Sequence, residues 1–179
     1  TVSGLTASAK GTDAGTYTSA VTGTAVVKDS DGNNVTAQFS VKTENGTLTV
    51  TKRNATITSE SAEKQYDGTA LTKHEVKVTG DGFVDGQGAD YSYTGSQTLV
   101  GSSENHFTYT LKDGTKADNY NIATANGTLT VTDRTAKYEV TVEANSGSYT
   151  YDGTEKSVSG FKTTEFELDG NKYTVSGLT

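Results

Sequence analysis

The chain of 179 residues has no cysteine, methionine, tryptophan or proline, and only two histidines. Without cysteine there is no disulfide, no thiolate nucleophile and no thiolate metal site. Without tryptophan, the usual platform for stacking a pyranose ring is missing, although ten tyrosines could take its place. Without methionine, the chain is expected to be part of something longer. Positive charge is also short: the net charge is −7. That balance argues against nucleic acid, whose binding depends on a basic surface that displaces counterions, and against an anionic membrane surface. Long apolar runs are absent, so neither a signal peptide nor a membrane-inserting segment is visible. Apolar residues make up only 31% of the chain, which implies thin cores.

Threonine fills much of that space, with 34 copies, and glycine contributes 20. Threonine, valine and tyrosine suit a pleated, half-wetted sheet, and glycine with asparagine supplies turns. A chain rich in Thr, Gly and Ser can instead be disordered. Here the apolar residues alternate cleanly, which favours folded strands. No 3.6-residue periodicity persists, so essentially no helix is expected.

The strongest signal is internal repetition. Asn45-Gly46-Thr47-Leu48-Thr49-Val50-Thr51 recurs letter for letter as Asn126-Gly127-Thr128-Leu129-Thr130-Val131-Thr132. Each copy is followed two residues later by an arginine, Arg53 or Arg134. Asn-Gly suits a tight type I′ turn, so each copy is expected to be a hairpin turn followed by a strand. Tyr66-Asp67-Gly68-Thr69 likewise recurs as Tyr151-Asp152-Gly153-Thr154, and Thr1–Thr6 is identical to Thr174–Thr179. Fixed-period similarity is the mark of an array. The expected organisation is therefore the closing half of a module at 1–53, a complete module at 54–134, and the opening half of the next at 135–179.

Within these stretches the alternation places strands at Val35, Ala37, Phe39 and Val41, at Ala55 and Ile57, at Val76 and Val78, and at Tyr91 and Tyr93. Further strands are expected at Phe107, Tyr109 and Leu111, and at Tyr138, Val140 and Val142. Tyr120 and Ile122 are expected to pair through Asn126-Gly127 with Leu129 and Val131. Turns are expected at 29–34, at Asp113-Gly114 and at Asp169-Gly170, and a Gly/Asp-rich loop at 80–90. The fold class is all-β: tandem, elongated small β-sandwich or β-grasp-like modules.

A Tyr-Asp-Gly-Thr turn near the module start and a Gly-Thr-Leu-Thr-Val closing strand some sixty residues later resemble the YDG/MBG-type repeats of bacterial cell-surface adhesins. The resemblance covers 54–134 in full and the flanks as half-modules. It implies an extracellular location at the cell surface or wall and a structural or adhesive role. It supplies no catalytic residues.

Candidate chemistry is sparse. Asp29, Asp31 and Asn33 have the spacing of a calcium loop, but the places where an EF-hand has glycine and glutamate hold Asn34 and Ser40, so a plain turn is favoured. Asp81, Asp85 and Asp90 form a second calcium candidate, against the simpler reading of a solvated loop. In the Tyr-Asp-Gly-Thr turns, tyrosine and aspartate could bind a sugar or cation. The structural alternative is that Asp caps the turn, Gly takes a positive φ and Tyr packs. His74 and His106 belong to no metal-spaced set, and no Gly-x-Ser-x-Gly elbow exists. A Lys–Asn isopeptide cross-link remains open. No cofactor and no enzymatic activity are expected. The expected role is a stalk that projects a distal binding domain from the cell wall; the alternative is that the repeats themselves bind a host glycan, mucin or matrix protein by avidity. The expected partners are neighbouring copies of the repeat, packed head to tail.

Overall fold

Alternating threonine and aliphatic side chains give strands with one apolar face. A computed structural model describes all residues 1–179. Strand accounts for 46% of the residues and helix for 3%, so the protein is all-β. No helix is long and apolar enough to cross a membrane. The strands are β1 (Val2–Ser8), β2 (Gly15–Val27), β3 (Gly46–Val50), β4 (Arg53–Ser59), β5 (Ala62–Gln65), β6 (Val76–Gly80) and β7 (Ala89–Tyr93). They continue with β8 (Gly101–Asn105), β9 (Phe107–Leu111), β10 (Tyr120–Ala125), β11 (Gly127–Thr132), β12 (Glu165–Leu168) and β13 (Asn171–Thr174).

The chain divides into two compact units. The first comprises Thr1–Ser59, Val76–Ser92 and Phe107–Ala125; the second comprises Glu60–Glu75, Tyr93–His106 and Asn126–Thr179. The stretch 54–134 therefore contributes segments to both.

In the first unit, one sheet has the order β1-β2-β3 and another the order β10-β4-β6, while β7 pairs with β9. The β10–β4 pairing is parallel, with Tyr120 opposite Arg53 and Ile122 opposite Ala55. The β4–β6 pairing is antiparallel. On the central strand β4, Ala55, Ile57 and Ser59 are buried, as is Tyr120 on β10 at the end of the sheet. Between β1 and β2 the register shifts at Gly4. There Gly4 and Gly23 both have positive φ, and a Cβ on Gly23 would lie 2.2 Å from the Gly4 carbonyl oxygen. Only glycine allows the two backbones to approach so closely.

The second unit is built on the sheet β5-β11-β8 and the hairpin β12-β13. β11 runs parallel to β5, with Leu129 opposite Ala62 and Val131 opposite Lys64. On its other edge it is antiparallel to β8, with Gly127 opposite Asn105 and Val131 opposite Gly101. On this central strand Leu129 and Val131 are 0% and 1% exposed. Asn105, also buried, donates through Nδ2 to the Glu60 and Lys73 carbonyls at 2.9 and 2.8 Å.

Three local expectations are corrected. First, neither Asn45-Gly46 nor Asn126-Gly127 closes a hairpin. Gly46 and Gly127 do not have the positive φ a type I′ turn needs. β10 and β11, on either side of Asn126, pair with different strands instead of each other. The asparagine side chains serve other contacts: Asn45 Oδ1 accepts the Val21 N–H at 3.0 Å, and Asn126 Nδ2 donates to Glu104 Oε2 at 2.9 Å. The tight hairpin lies instead at Asp169-Gly170, with φ of 50° and 75°, joining β12 to β13.

Second, Val35–Val41 forms no strand. A 3₁₀ turn occupies Thr36–Gln38, and Phe39 and Val41 are 57% and 38% exposed. Side-chain hydrogen bonds set this local shape. Thr36 donates to Asn34 Oδ1 from its N–H at 3.1 Å and from its hydroxyl at 2.7 Å, while the Val27 N–H donates to Thr36 Oγ1 at 2.8 Å. These bonds offer the backbone an alternative to a strand ladder. Third, Tyr138, Val140 and Val142 form no strand; the nearest pairing is the isolated bridge between Ala144 and Phe161.

The repeated segment gives a direct test of burial. Leu129→Ala should cost about 2–5 kcal/mol, because it empties a packed site. Leu48→Ala, at the matching but half-buried position on β3, should cost about 1 kcal/mol. Urea denaturation of the two variants would compare them, and equal losses would contradict the difference in burial.

Candidate functional site

The two Tyr-Asp-Gly-Thr turns have the same internal chemistry. Asp67 Oδ1 accepts the Thr69 N–H at 2.9 Å and the Thr69 hydroxyl at 2.8 Å. Asp152 Oδ1 accepts the Thr154 N–H at 3.0 Å and its hydroxyl at 2.6 Å. Each is an Asx turn, in which the aspartate stands in for a backbone carbonyl. A lysine completes each. Lys64 Nζ donates to Asp67 Oδ1 and Thr69 Oγ1, both at 2.7 Å. Lys156 Nζ donates to Asp152 Oδ2 and Thr154 Oγ1, both at 2.6 Å. Gly68 and Gly153 have nearly equal φ, 79° and 78°. The Lys64 hydrogen bond, with those from Thr69, holds the Asp67 carboxyl well below the usual range. Lys156, with Thr154, lowers that of Asp152. The role of the lysines is the part sequence reading missed; they stand at different offsets from the turn, two residues before Tyr66 and five after Tyr151.

The surroundings of the two turns differ. At the first, a Cβ on Gly68 would meet Tyr173 Oη at 2.5 Å and Asn171 Nδ2 at 2.7 Å; at Gly153 nothing lies within 4 Å. Asn171 Nδ2 donates to the Asp67 carbonyl at 3.2 Å. Arg134 Nη1 donates to the Tyr66 carbonyl and to Tyr138 Oη, each at 3.1 Å, and its guanidinium lies 3.9 Å from the centre of the Tyr138 ring. Tyr138 in turn donates to Asp169 Oδ2. The first turn is thus clasped by a tyrosine-arginine cluster from residues 134–173. At the second turn, Tyr151 is 91% exposed. The Tyr66 hydroxyl beside it, together with burial, pushes Tyr173 up to about 12, and the Asp169 carboxylate raises Tyr138.

Of the calcium candidates, Asp29, Asp81 and Asp90 are engaged in other contacts. Asp29 Oδ1 accepts the N–H groups of Asp31 and Asn33 at 3.0 and 2.9 Å, and Oδ2 accepts from Asn33 Nδ2 at 3.1 Å. Those bonds, the Asn33 side chain first, lower the Asp29 carboxyl, which therefore acts as the brace of its own turn. Asp81 Oδ2 accepts the Asn54 N–H at 3.0 Å, Asp90 pairs with Lys112 at 3.6 Å, and Asp85 is exposed. No group of three or more His, Cys, Asp or Glu side chains is placed to hold a metal ion. His74 stacks on Tyr93 with ring centroids 5.1 Å apart. His106 Nδ1 lies 3.0 Å from Asn126 Nδ2, with Glu104 3.5 Å from Nε2.

The 80–90 loop borders a cleft of about 410 Å³ in the first unit, lined by Asp13, Arg53, Gln87, Lys116, Asn119 and Tyr120 among others. The loop is pinned. The Tyr120 hydroxyl donates to Gln87 Oε1 at 2.5 Å and accepts the Val84 N–H at 3.1 Å, while Arg53 Nε donates to the Gly82 carbonyl at 3.2 Å. In the same cleft Asp13 accepts from Lys116 Nζ at 2.7 Å and from Asn119 Nδ2 at 2.8 Å. This trio has the residue types of an isopeptide cross-link but not its environment. Lys116 is 65% exposed and Asp13 raises its pKa, which keeps the amine protonated and non-nucleophilic.

No family model, no curated protein and no solved structure matches the chain.

Two outcomes follow. Gly68→Ala and Gly153→Ala should both cost roughly 1 kcal/mol through their positive φ. Gly68→Ala should cost measurably more, because its Cβ enters the Asn171–Tyr173 contact; equal melting shifts would contradict that contact. In acid, the Asp67 carboxyl should stay ionised as pH falls through 3.8, where an unperturbed aspartate titrates. Its folded-state pKa is lowered, so the stability it contributes is present above 3.8 and lost as pH falls below it. Carbon-detected NMR of the side-chain carboxyls would check this, with protonation of Asp67 alongside exposed aspartates as the contrary result.

Proposed function

We propose that this chain is a repetitive, non-enzymatic stalk segment of a bacterial surface protein, which spaces a distal binding domain away from the cell wall. The observation that carries this reading is the clasp around Tyr66-Asp67-Gly68-Thr69. Within the second compact unit, residues from 135–179, which the repeat pattern assigns to the next module, grip the turn of the 54–134 stretch through Asn171 and Tyr173, with Arg134 beside them. A joint held by hydrogen bonds, a cation–π contact and packed tyrosines resists bending better than a free linker does. Repetition of such joints gives reach without new chemistry, and stability accumulates as a sum over neighbours. The engagement of Asp67, Asp152 and Asp29 in bracing their own turns fits a scaffold role.

Small-angle scattering from a chain of two tandem periods tests this. The expected profile is that of a rod, with Asn171→Ala and Arg134→Ala together increasing its flexibility. A compact or freely jointed profile for the unmodified chain would overturn the stalk reading. The same material should be screened against host glycans, mucin and matrix proteins. Saturable binding by one period, lost on changing Arg53 and Lys116 in the cleft by the 80–90 loop, would replace the stalk with an adhesive acting through avidity.

A further inference from the structure

β3 and β11 share the sequence Gly-Thr-Leu-Thr-Val but have different neighbours. On one edge they match. Gly46 and Val50 on β3 face Ser19 and Gly15, just as Gly127 and Val131 on β11 face Asn105 and Gly101. A glycine stands opposite the valine in both, with φ of 157° and 136°. On the other edge β11 carries the parallel strand β5, while β3 ends its sheet and carries nothing. Leu129 and Val131 are fully buried, whereas Leu48 and Val50 are only half-buried. The deficit extends upstream. Phe39 and Val41 stand in the repeat where Tyr120 and Ile122 stand before β11; Tyr120 is 4% exposed, Phe39 57%.

The chain also contains the strand that would fill this edge. β5 immediately precedes the turn at Tyr66-Asp67-Gly68-Thr69. The segment that immediately precedes the matching turn at Tyr151 is Gly147-Ser148-Tyr149-Thr150. It lies outside any strand, with Tyr149 57% and Tyr151 91% exposed. Just upstream, Val140 is 42% exposed. One stretch thus has an unfilled strand edge and the other an unused strand with exposed apolar side chains.

We propose that the open edge of β3 accepts Gly147–Thr150 of a second copy of this chain as an added parallel strand. The register follows from the complete sheet. Ala62, Lys64 and Gln65 face Leu129, Val131 and Thr132, so Gly147, Tyr149 and Thr150 of the second copy face Leu48, Val50 and Thr51. The Tyr66 N–H donates to the Thr132 carbonyl at 2.9 Å, and the Tyr151 N–H of the second copy takes the Thr51 carbonyl in the same way. Strand addition supplies main-chain hydrogen bonds for affinity, and the paired side chains supply selectivity. The donor and acceptor surfaces are different parts of one chain, so the contact is head-to-tail and propagates. This inference rests on the repeat organisation behind the stalk reading. It concerns how separate copies join, which the scattering of a covalently tandem chain does not measure.

Because the chain has no cysteine, engineered thiols report the contact directly. Val50→Cys chains mixed with Tyr149→Cys chains and oxidised glutathione should form a mixed disulfide. Neighbouring strands lie ~4.8 Å apart, within the Cα range of roughly 4.4–6.8 Å that a disulfide spans. Tyr109→Cys, another exposed position, should cross-link to Val50→Cys roughly tenfold less, as expected of random collision. Sedimentation of the unmodified chain should show mass rising with concentration. Tyr149→Asp should weaken that association about tenfold or more while leaving far-UV circular dichroism unchanged. The proposal is overturned by a monomer at every concentration, by cross-linking no better than the Tyr109→Cys control, or by a Val50→Cys/Tyr149→Cys double variant that closes its disulfide within single chains at high dilution. A rod-like tandem chain with any of those results would keep the stalk and remove only this contact.

Discussion

The pairing of the first and last strands of the 54–134 stretch is the constraint on which the rest of the fold depends. β4 with β10 and β5 with β11 are both parallel and share an offset of 67 residues, set by Arg53 opposite Tyr120 and Ala62 opposite Leu129. Parallel strands cannot be joined by a tight turn, so all of 66–119 serves as connection. With few apolar side chains available, this arrangement places Ile57, Leu129 and Val131 on strands flanked on both edges, where they are sealed from water. β3 carries the same side chains at the end of its sheet, where Leu48 and Val50 are half-buried.

A second layer of order is local and polar. Turns throughout the chain are fixed by aspartate or asparagine oxygens that accept from backbone N–H groups within a few residues, as at Asp29, Asn34, Asp67 and Asp152. These oxygens compensate for the shortage of apolar burial by satisfying backbone donors where the chain reverses. They also explain why the acidic residues do not converge. A carboxylate that braces its own loop has its lone pairs directed at that loop, and a surface of such carboxylates supplies negative charge and solubility without a shared focus.

The same turn motif occurs in two settings. Around Gly68 it is a docking point, covered by Asn171 and Tyr173; around Gly153 it is bare. The backbone shape is encoded within four residues and their lysine, so it survives without the cover. The clasp requires a second segment, 134–173, which lies in the same compact unit.

By itself the sequence determined the all-β class, the positions of most strands, the local turns at 66–69 and 151–154, and the repetition that relates β3 to β11. Each of these follows from side-chain alternation or from hydrogen bonds spanning a few residues. Partnership was illegible. Asn126-Gly127 has the composition of a hairpin turn, yet β10 and β11 pair with strands 67 residues away, β10 against β4 in the first unit, where Tyr120 is buried, and β11 against β5 in the second, where Leu129 and Val131 are buried. Val35 to Val41 alternates as a strand should, yet an alternating segment needs an edge to pair with. Here the Asn34–Thr36 hydrogen bonds set its shape instead. Alternation reports which face of a strand is apolar; only the tertiary structure decides which strand will cover it, because that choice depends on the burial gained across the whole sheet.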